Sequence, residues 1–198
     1  MTFYHWASFA PGTSILLSDG TTSKNIEDIV VGDEIYSGKL AQGYRKSVVS
    51  QIKTSTPTDT NPAEVFHIHT DDHGHLLTTT RHQAFLTIEG WQCIDSFLVR
   101  SWKDSYPSSL GTSIISKYNL ESDGFFLDDT RKKRYRISQI IQDVSIETQR
   151  FLALCPMERH PENSRLIPGT DAEETSFIAN GIVTRSAPQW DFVDGFFF

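Results

Sequence analysis

The chain has 198 residues, 38% of them hydrophobic and 22% charged, which is enough apolar side chain for a packed core and too little charge for a disordered chain. At about 150 residues per domain, that length means one domain, or one domain with a long insertion. Eighteen Lys and Arg against 25 Asp and Glu leave a net charge of −7, which excludes a general nucleic-acid binder, because phosphate contacts need a basic surface.

Taken in chain order, the pattern is strand-like nearly throughout. Met1–Ala7 lacks the basic start and apolar stretch of a secretory leader. Ser14–Ser18 is a strand that reaches an Asp19-Gly20 hairpin turn. Asn25–Val31 leads to a second turn at Gly32-Asp33, and Glu34-Ile35-Tyr36 restarts a strand. Lys46–Thr54 reads as a strand. Ala63–Thr70 is another, turning at Asp72-His73-Gly74 so that His75–Thr80 pairs back against it. Phe85–Ile88 turns at Glu89-Gly90 into a strand from Trp91. Residues 103–130 hold Ser, Gly, Asp and Pro with scattered aromatics and read as long loops or an insertion. The basic run Arg131–Arg136 reads as a solvated loop or strand edge. Arg136–Ile146 and Arg150–Leu154 are strands, Arg159–Glu174 is polar loop, and Thr175–Thr184 is a hairpin turning at Asn180-Gly181. Short strands with frequent turns make an all-β fold. No apolar run approaches the roughly 18 residues of a membrane span.

Two cysteines, Cys93 and Cys155, are too few for a four-thiolate zinc site or a disulfide framework, and they read as small buried apolar residues. His67, His69, Asp71, Asp72, His73 and His75 lie within nine residues. His67 and His69 share a strand face, and the turn brings His75 near His69. Such clusters can bind zinc, but this spacing is not specific, and a polar strand pair is the plainer reading.

Three segments stand out together: Ser8–Asp33 (SFAPGTSILLSDGTTSKNIEDIVVGD), Leu77–Trp91 (LTTTRHQAFLTIEGW) and Phe177–Ser186 (FIANGIVTRS). In this order and at these separations they resemble the Hint superfamily of inteins, bacterial intein-like domains and Hedgehog autoprocessing domains. The first resembles the family's opening: a nucleophile, Phe, Gly-Thr, a strand, an Asp-Gly turn and Val-Gly-Asp. The second contains a Thr-x-x-His as Thr79-Thr80-Arg81-His82, followed by Gly90-Trp91. The third resembles the closing Phe-x-Ala-Asn-Gly-Ile-Val hairpin. The resemblance implies a horseshoe-like all-β Hint domain over residues 8–185, with a loop-rich insertion around 103–170. It also implies an N-terminal flank at 1–7 and a C-terminal flank or aromatic tail at 186–198.

The resemblance further implies an autocatalytic acyl shift at Ala7–Ser8. The Ser8 side chain attacks the preceding carbonyl, and an external thiol, amine or water then takes the acyl group. An amide nitrogen leaves badly unless protonated, and an imidazole can supply the proton near neutral pH. The pattern assigns that role to His82. It assigns Thr79 the orientation of the scissile peptide and stabilisation of the oxyanion. The partners are the chain's own flanking polypeptides, with no nucleic acid, no membrane span, no cofactor and no metal.

Two departures narrow the expected activity. The commonest opening nucleophile of the family is Cys, which is partly ionised at pH 7, whereas the alcohol of Ser8 is not. Ser8 is therefore either a native, slower nucleophile or a replacement for Cys that traps the precursor. Inteins usually close on His-Asn before a Cys, Ser or Thr, the Asn cyclising to release the second flank. Here Thr184 and Arg185 hold those positions before Ser186. Arginine has no side-chain amide to cyclise, and Thr184 cannot act as an imidazolium does. Cleavage or acyl transfer at the N-terminal side is therefore expected, rather than full splicing. The alternatives from other classes are a catalytically silent Hint-fold interaction module and a metal-binding β protein.

Overall fold

The computed structural model describes residues 8–37, 45–95, 119–128, 132–156 and 176–185. Thirteen strands are present among them: β1 Ser14–Leu16, β2 Ser23–Asn25, β3 Glu34–Ser37, β4 Arg45–Ser55, β5 Ala63–Thr70, β6 Gly74–Thr79, β7 Phe85–Thr87, β8 Gly90–Gln92, β9 Phe125–Leu127, β10 Arg134–Ser145, β11 Gln149–Pro156, β12 Ser176–Ala179 and β13 Ile182–Arg185. Ten form one sheet in the order β2-β1-β12-β13-β7-β9-β10-β5-β6, with β8 paired to β7. The other three form a sheet in the order β11-β4-β3. The all-β architecture expected from the sequence is the one observed. No described helix is long and apolar enough to cross a membrane.

The turns follow from local chemistry. After β1, the Asp19 carboxylate accepts from the backbone N–H groups of Thr21 and Thr22, at 2.9 and 2.8 Å, and from the Thr22 hydroxyl. The Thr22 hydroxyl first, then these N–H groups, hold the Asp19 carboxyl down at about 2. Between β12 and β13, Asn180 and Gly181 both take positive φ, 47° and 81°, the geometry a tight hairpin demands. The Asn180 side chain does more than turn. Its Oδ1 accepts from Ser14 N at 2.7 Å and its Nδ2 donates to the Leu76 carbonyl at 2.6 Å, fastening the closing hairpin to β1 and β6.

Two stretches differ from the sequence reading. Residues 25–31, read only as leading to the Gly32-Asp33 turn, contain one 3-10 turn, Ile26–Asp28. The Arg150 guanidinium donates to the carbonyls of Ile26 and Ile29 at 3.2 and 3.0 Å, and both isoleucines are fully buried. Within the span read as loops, Phe125–Leu127 forms β9 and pairs with both β7 and β10. Phe126 is fully buried against Phe85, with ring centroids 5.3 Å apart. Three residues are too few to display a strand period, so packing makes this element rather than pattern. The described parts of the 103–170 span also supply β10 and β11, which run along β5 and β4. The rest of that span lies outside the described residues, as do Arg159–Glu174 and the aromatic tail.

The core centres on Phe9. Its ring meets Phe85 and Phe177 edge-on at 6.1 and 6.0 Å, with Ile15, Ile35, Ile68, Leu77, Ile137 and Ile182 in the same cluster. Burying such a ring contributes about 1.5–3 kcal/mol. The residue after the expected nucleophile is thus anchored in the core.

Candidate active site

Residues 8–10 run as an extended segment between β6 and β11 and join the two sheets. Phe9 N donates to the Arg150 carbonyl and Arg150 N to the Phe9 carbonyl, both at 3.0 Å, and Ala10 N donates to the Thr78 carbonyl at 3.1 Å. Thr80 N donates to the Ser8 carbonyl at 3.2 Å. This ladder, together with the Phe9 anchor, places Ser8 against the end of β6, where it is 1% exposed.

Three side-chain hydrogen bonds surround Ser8. The Thr79 hydroxyl donates to the Ser8 carbonyl at 2.7 Å. The Ser8 N–H donates to Thr80 Oγ1 at 3.0 Å, and the Ser8 hydroxyl donates to the same oxygen at 3.3 Å. Thr79 therefore binds the carbonyl of Ser8 itself, one peptide beyond Ala7–Ser8. The neighbouring Thr80 touches the nitrogen of the Ala7–Ser8 bond. Both threonines are buried, and both reach Ser8 because β6 ends at Thr79 and the chain turns there. A Thr-x-x-His pattern selects Thr79 and passes over Thr80. Only the break in strand alternation at Thr80 signals that its side chain also turns to Ser8.

His82 lies in that turn, 6% exposed, with Nε2 out of solvent. The turn is fastened on both sides. Gln83 N donates to the Thr80 carbonyl at 3.2 Å and Asp95 N to the Arg81 carbonyl at 3.1 Å. The Arg81 guanidinium pairs with Glu64, its Nε donating at 2.6 Å, and with Asp95 at 3.4 Å.

The closing strand docks on the same loop. Thr184 pairs with Phe85 and is fully buried. Its hydroxyl donates to the Ala84 carbonyl at 2.9 Å and accepts from Gln83 Nε2 at 2.6 Å. Gln83 was not singled out by the sequence, because a buried glutamine after the motif histidine has no distinctive signal. Segment 79–85 thus holds both Ser8 and Thr184. Of Arg185 the backbone alone is described, opposite Ser176 on β12. Ala7 and Ser186 lie outside the described residues.

The histidines gather on β5 and β6. His75 lies 5.7 Å from His67 and 5.4 Å from His69 between ring centroids. His67 Nδ1 and His75 Nε2 converge on Thr78 Oγ1, at 2.7 and 3.0 Å, and His67 Nε2 reaches Asp143 at 3.3 Å. His73 instead sits over Tyr135, at 5.4 Å. Among the described residues no group of three or more His, Cys, Asp or Glu side chains is arranged to hold a metal ion. Cys93 is fully buried, and the Cys155 side chain is outside the described set.

No family model matches the chain, and no curated protein does. Solved structures do. A mutant of an Ssp DnaB mini-intein variant aligns with a TM-score of 0.61 at 17% identity, over 98% of this chain and 100% of that one. The bacterial intein-like domain from Clostridium thermocellum aligns at 0.58 and 12% identity, over 91% and 99%. A triply substituted gp41-1 intein aligns at 0.56 and 15%, over 91% and 100%. With the strand order and the placing of Ser8 and Thr184 on one segment, these alignments establish that this chain has the Hint fold of inteins and intein-like domains.

Proposed function

We propose that the chain is a single-turnover autoprocessing domain that activates the Ala7–Ser8 bond for cleavage or acyl transfer and does not carry out full splicing. Ser8 Oγ bonds to the Ala7 carbonyl carbon, the C–N bond breaks, and the amide becomes an ester with a free amine on Ser8. An external thiol, amine or water then takes the acyl group. Thr79 fixes the Ser8 peptide, and His82 supplies a proton to the departing amine. Thr184 and Arg185 offer no side-chain amide for a second cleavage, so a branched intermediate has no route to release.

The observation that supports this reading most is the environment of Ser8. A buried serine has both its hydroxyl and its amide nitrogen on a threonine oxygen, two residues from a buried histidine, in the Hint fold. A serine held only for packing needs no such pairing of nucleophile and leaving atom.

The test is mass spectrometry of the full chain incubated with hydroxylamine. An ester at Ser8 yields a fragment beginning at Ser8, and Ser8→Ala yields none. Ser8→Cys raises cleavage by dithiothreitol, because a thiol with a pKa near 8.5 is partly ionised at neutral pH. A folded chain that stays intact in the unmodified and Ser8→Cys forms refutes activation at Ala7–Ser8 and leaves a non-catalytic interaction module.

A further inference from the structure

An acyl shift from nitrogen to oxygen moves one proton: the nucleophile loses it and the leaving nitrogen gains it. Both atoms belong to Ser8, and direct transfer between them passes through a strained four-membered ring of Oγ, hydrogen, nitrogen and carbonyl carbon. Both atoms also meet one common oxygen. Thr80 Oγ1 lies 3.0 Å from Ser8 N and 3.3 Å from Ser8 Oγ.

We propose that Thr80 is a further catalytic residue, a hydroxyl that relays the proton of Ser8 Oγ to Ser8 N during the shift. The proposal rests on the reading that Ala7–Ser8 is activated. As Ser8 Oγ bonds to the Ala7 carbonyl carbon, its proton passes to Thr80 Oγ1. As that carbon becomes tetrahedral, Ser8 N changes from the donor of its resting bond to Thr80 Oγ1 into an amine with a lone pair; the proton that Thr80 carried passes to that lone pair, and the C–N bond breaks. Oxygen, hydrogen, oxygen, hydrogen, nitrogen and carbon form a six-membered ring. Thr80 ends as a hydroxyl, and the products are the ester and a neutral amine.

Two observations select Thr80 for this role. Ser8 and Thr80 are 1% and 3% exposed, so bulk water has little access to serve as the relay. Thr79 directs its hydroxyl proton to the Ser8 carbonyl at 2.7 Å and touches neither reacting atom. In this refinement Thr80, not His82, protonates the leaving nitrogen, and His82 protonates the amine once it is free. An α-amine has a pKa near 8, above the 6.5 of an imidazole. His82 can therefore convert the new amine to an ammonium, which cannot attack the ester in reverse.

The relay matters more for an alcohol than for a thiol, since a thiol loses its proton unaided near neutral pH. This supplies a test that a purely structural role fails. Hydroxylamine-dependent cleavage of the full chain is timed with Thr80, Thr80→Ser and Thr80→Val, each with Ser8 and with Ser8→Cys, and circular dichroism monitors folding. With Ser8, Thr80→Val slows cleavage by ~100-fold or more, within the range for positioned proton transfer, and Thr80→Ser stays within a few-fold. With Ser8→Cys, the Thr80→Val loss shrinks below about 10-fold. Cleavage of the unmodified chain in mixed H2O and D2O needs no variant, and two protons in flight give a curved dependence on deuterium fraction. An unchanged rate in Thr80→Val, equal losses in both backgrounds, or a linear isotope dependence overturns the relay. No fragment from any form, Ser8→Cys included, overturns the acyl shift itself.

Discussion

Ser8 and Thr184, beside the two proposed junctions, are held by the same seven-residue segment, 79–85, and differ in where their hydroxyl protons go. At the N-terminal junction, Ser8 directs its N–H and its hydroxyl to one oxygen, Thr80 Oγ1. The bonds there join atoms that the proposed reaction must rearrange. At the C-terminal junction, Thr184 has one proton and gives it to the Ala84 carbonyl at 2.9 Å, while Gln83 occupies a lone pair at 2.6 Å. Those bonds join a side chain to the scaffold. On the proposed function, one fold therefore carries a reactive arrangement at Ser8 and a closed one at Thr184. A hydroxyl that bridges two reacting atoms can transfer protons. A hydroxyl whose proton is committed to a buried carbonyl is a fastening.

The largest expected effect is on the reactive side. His82→Ala should reduce hydroxylamine cleavage at Ala7–Ser8 by roughly 10²–10⁴-fold while the domain stays folded. The measurement is the cleavage rate beside a thermal melt. An unchanged rate in the folded variant means that the freed amine needs no proton from His82.

The closed side should stay closed when the open side is made faster. In Ser8→Cys, no fragment beginning at Ser186 is expected in intact-mass spectra. Restoring the family's ending with Thr184→His and Arg185→Asn should be required before one appears. Release from the unmodified ending erases the contrast between the junctions.

This contrast was only partly legible in the sequence. The Hint fold was, because Ser8–Asp33, Leu77–Trp91 and Phe177–Ser186 resemble the family's segments in order and separation, with Thr79, His82 and Asn180 falling in family order. Asn180 shows the limit: its turn could be read, but its side-chain bonds to Ser14 and Leu76 join residues more than a hundred positions apart. Thr80 was passed over, because a motif counts residues and does not record where a strand stops alternating. Gln83 and β9 depend on partners brought in by tertiary packing, which no local pattern contains.

An intermediate effect should distinguish fastening from chemistry. Thr184→Val keeps the side-chain volume, removes the donor to the Ala84 carbonyl and takes from Gln83 Nε2 its 2.6 Å partner. Gln83 Nε2 keeps its 3.4 Å contact to the Ala84 carbonyl, so the cost is that of two buried hydrogen bonds, about 0.5–1.5 kcal/mol each, read as a loss in denaturant unfolding free energy. Cleavage at Ala7–Ser8 should persist in the folded fraction. Loss of cleavage without loss of stability would mean that Thr184 acts on the N-terminal chemistry and that the junctions are coupled.

The smallest effect lies beside the reactive junction. His75 titrates below its ordinary 6.5, first because burial disfavours its charged form and then because His69 and His67 add positive charge. The folded chain thus binds its proton less readily than the unfolded chain does. By linkage, the contribution of neutral His75 to stability is fully present above pH 6.5 and is lost as pH falls through the lowered folded value. The nearby acid is Asp143 on β10, whose carboxyl is itself held low, first by the Val144 N–H and then by His67. It faces His67 rather than His75, so it does not offset the effect. Thr78 makes the site sensitive to this change. Its hydroxyl meets His75 Nε2 at 3.0 Å, and its carbonyl holds Ala10 N at 3.1 Å, two residues from Ser8. Acidification from pH 7 to 5 should therefore lower the melting temperature, with part of that slope removed in His75→Gln. Amide exchange should quicken at Ala10 before it does at Phe85 beside Thr184. An identical slope in His75→Gln, or equal quickening at both amides, would show that the histidine cluster does not favour one junction over the other.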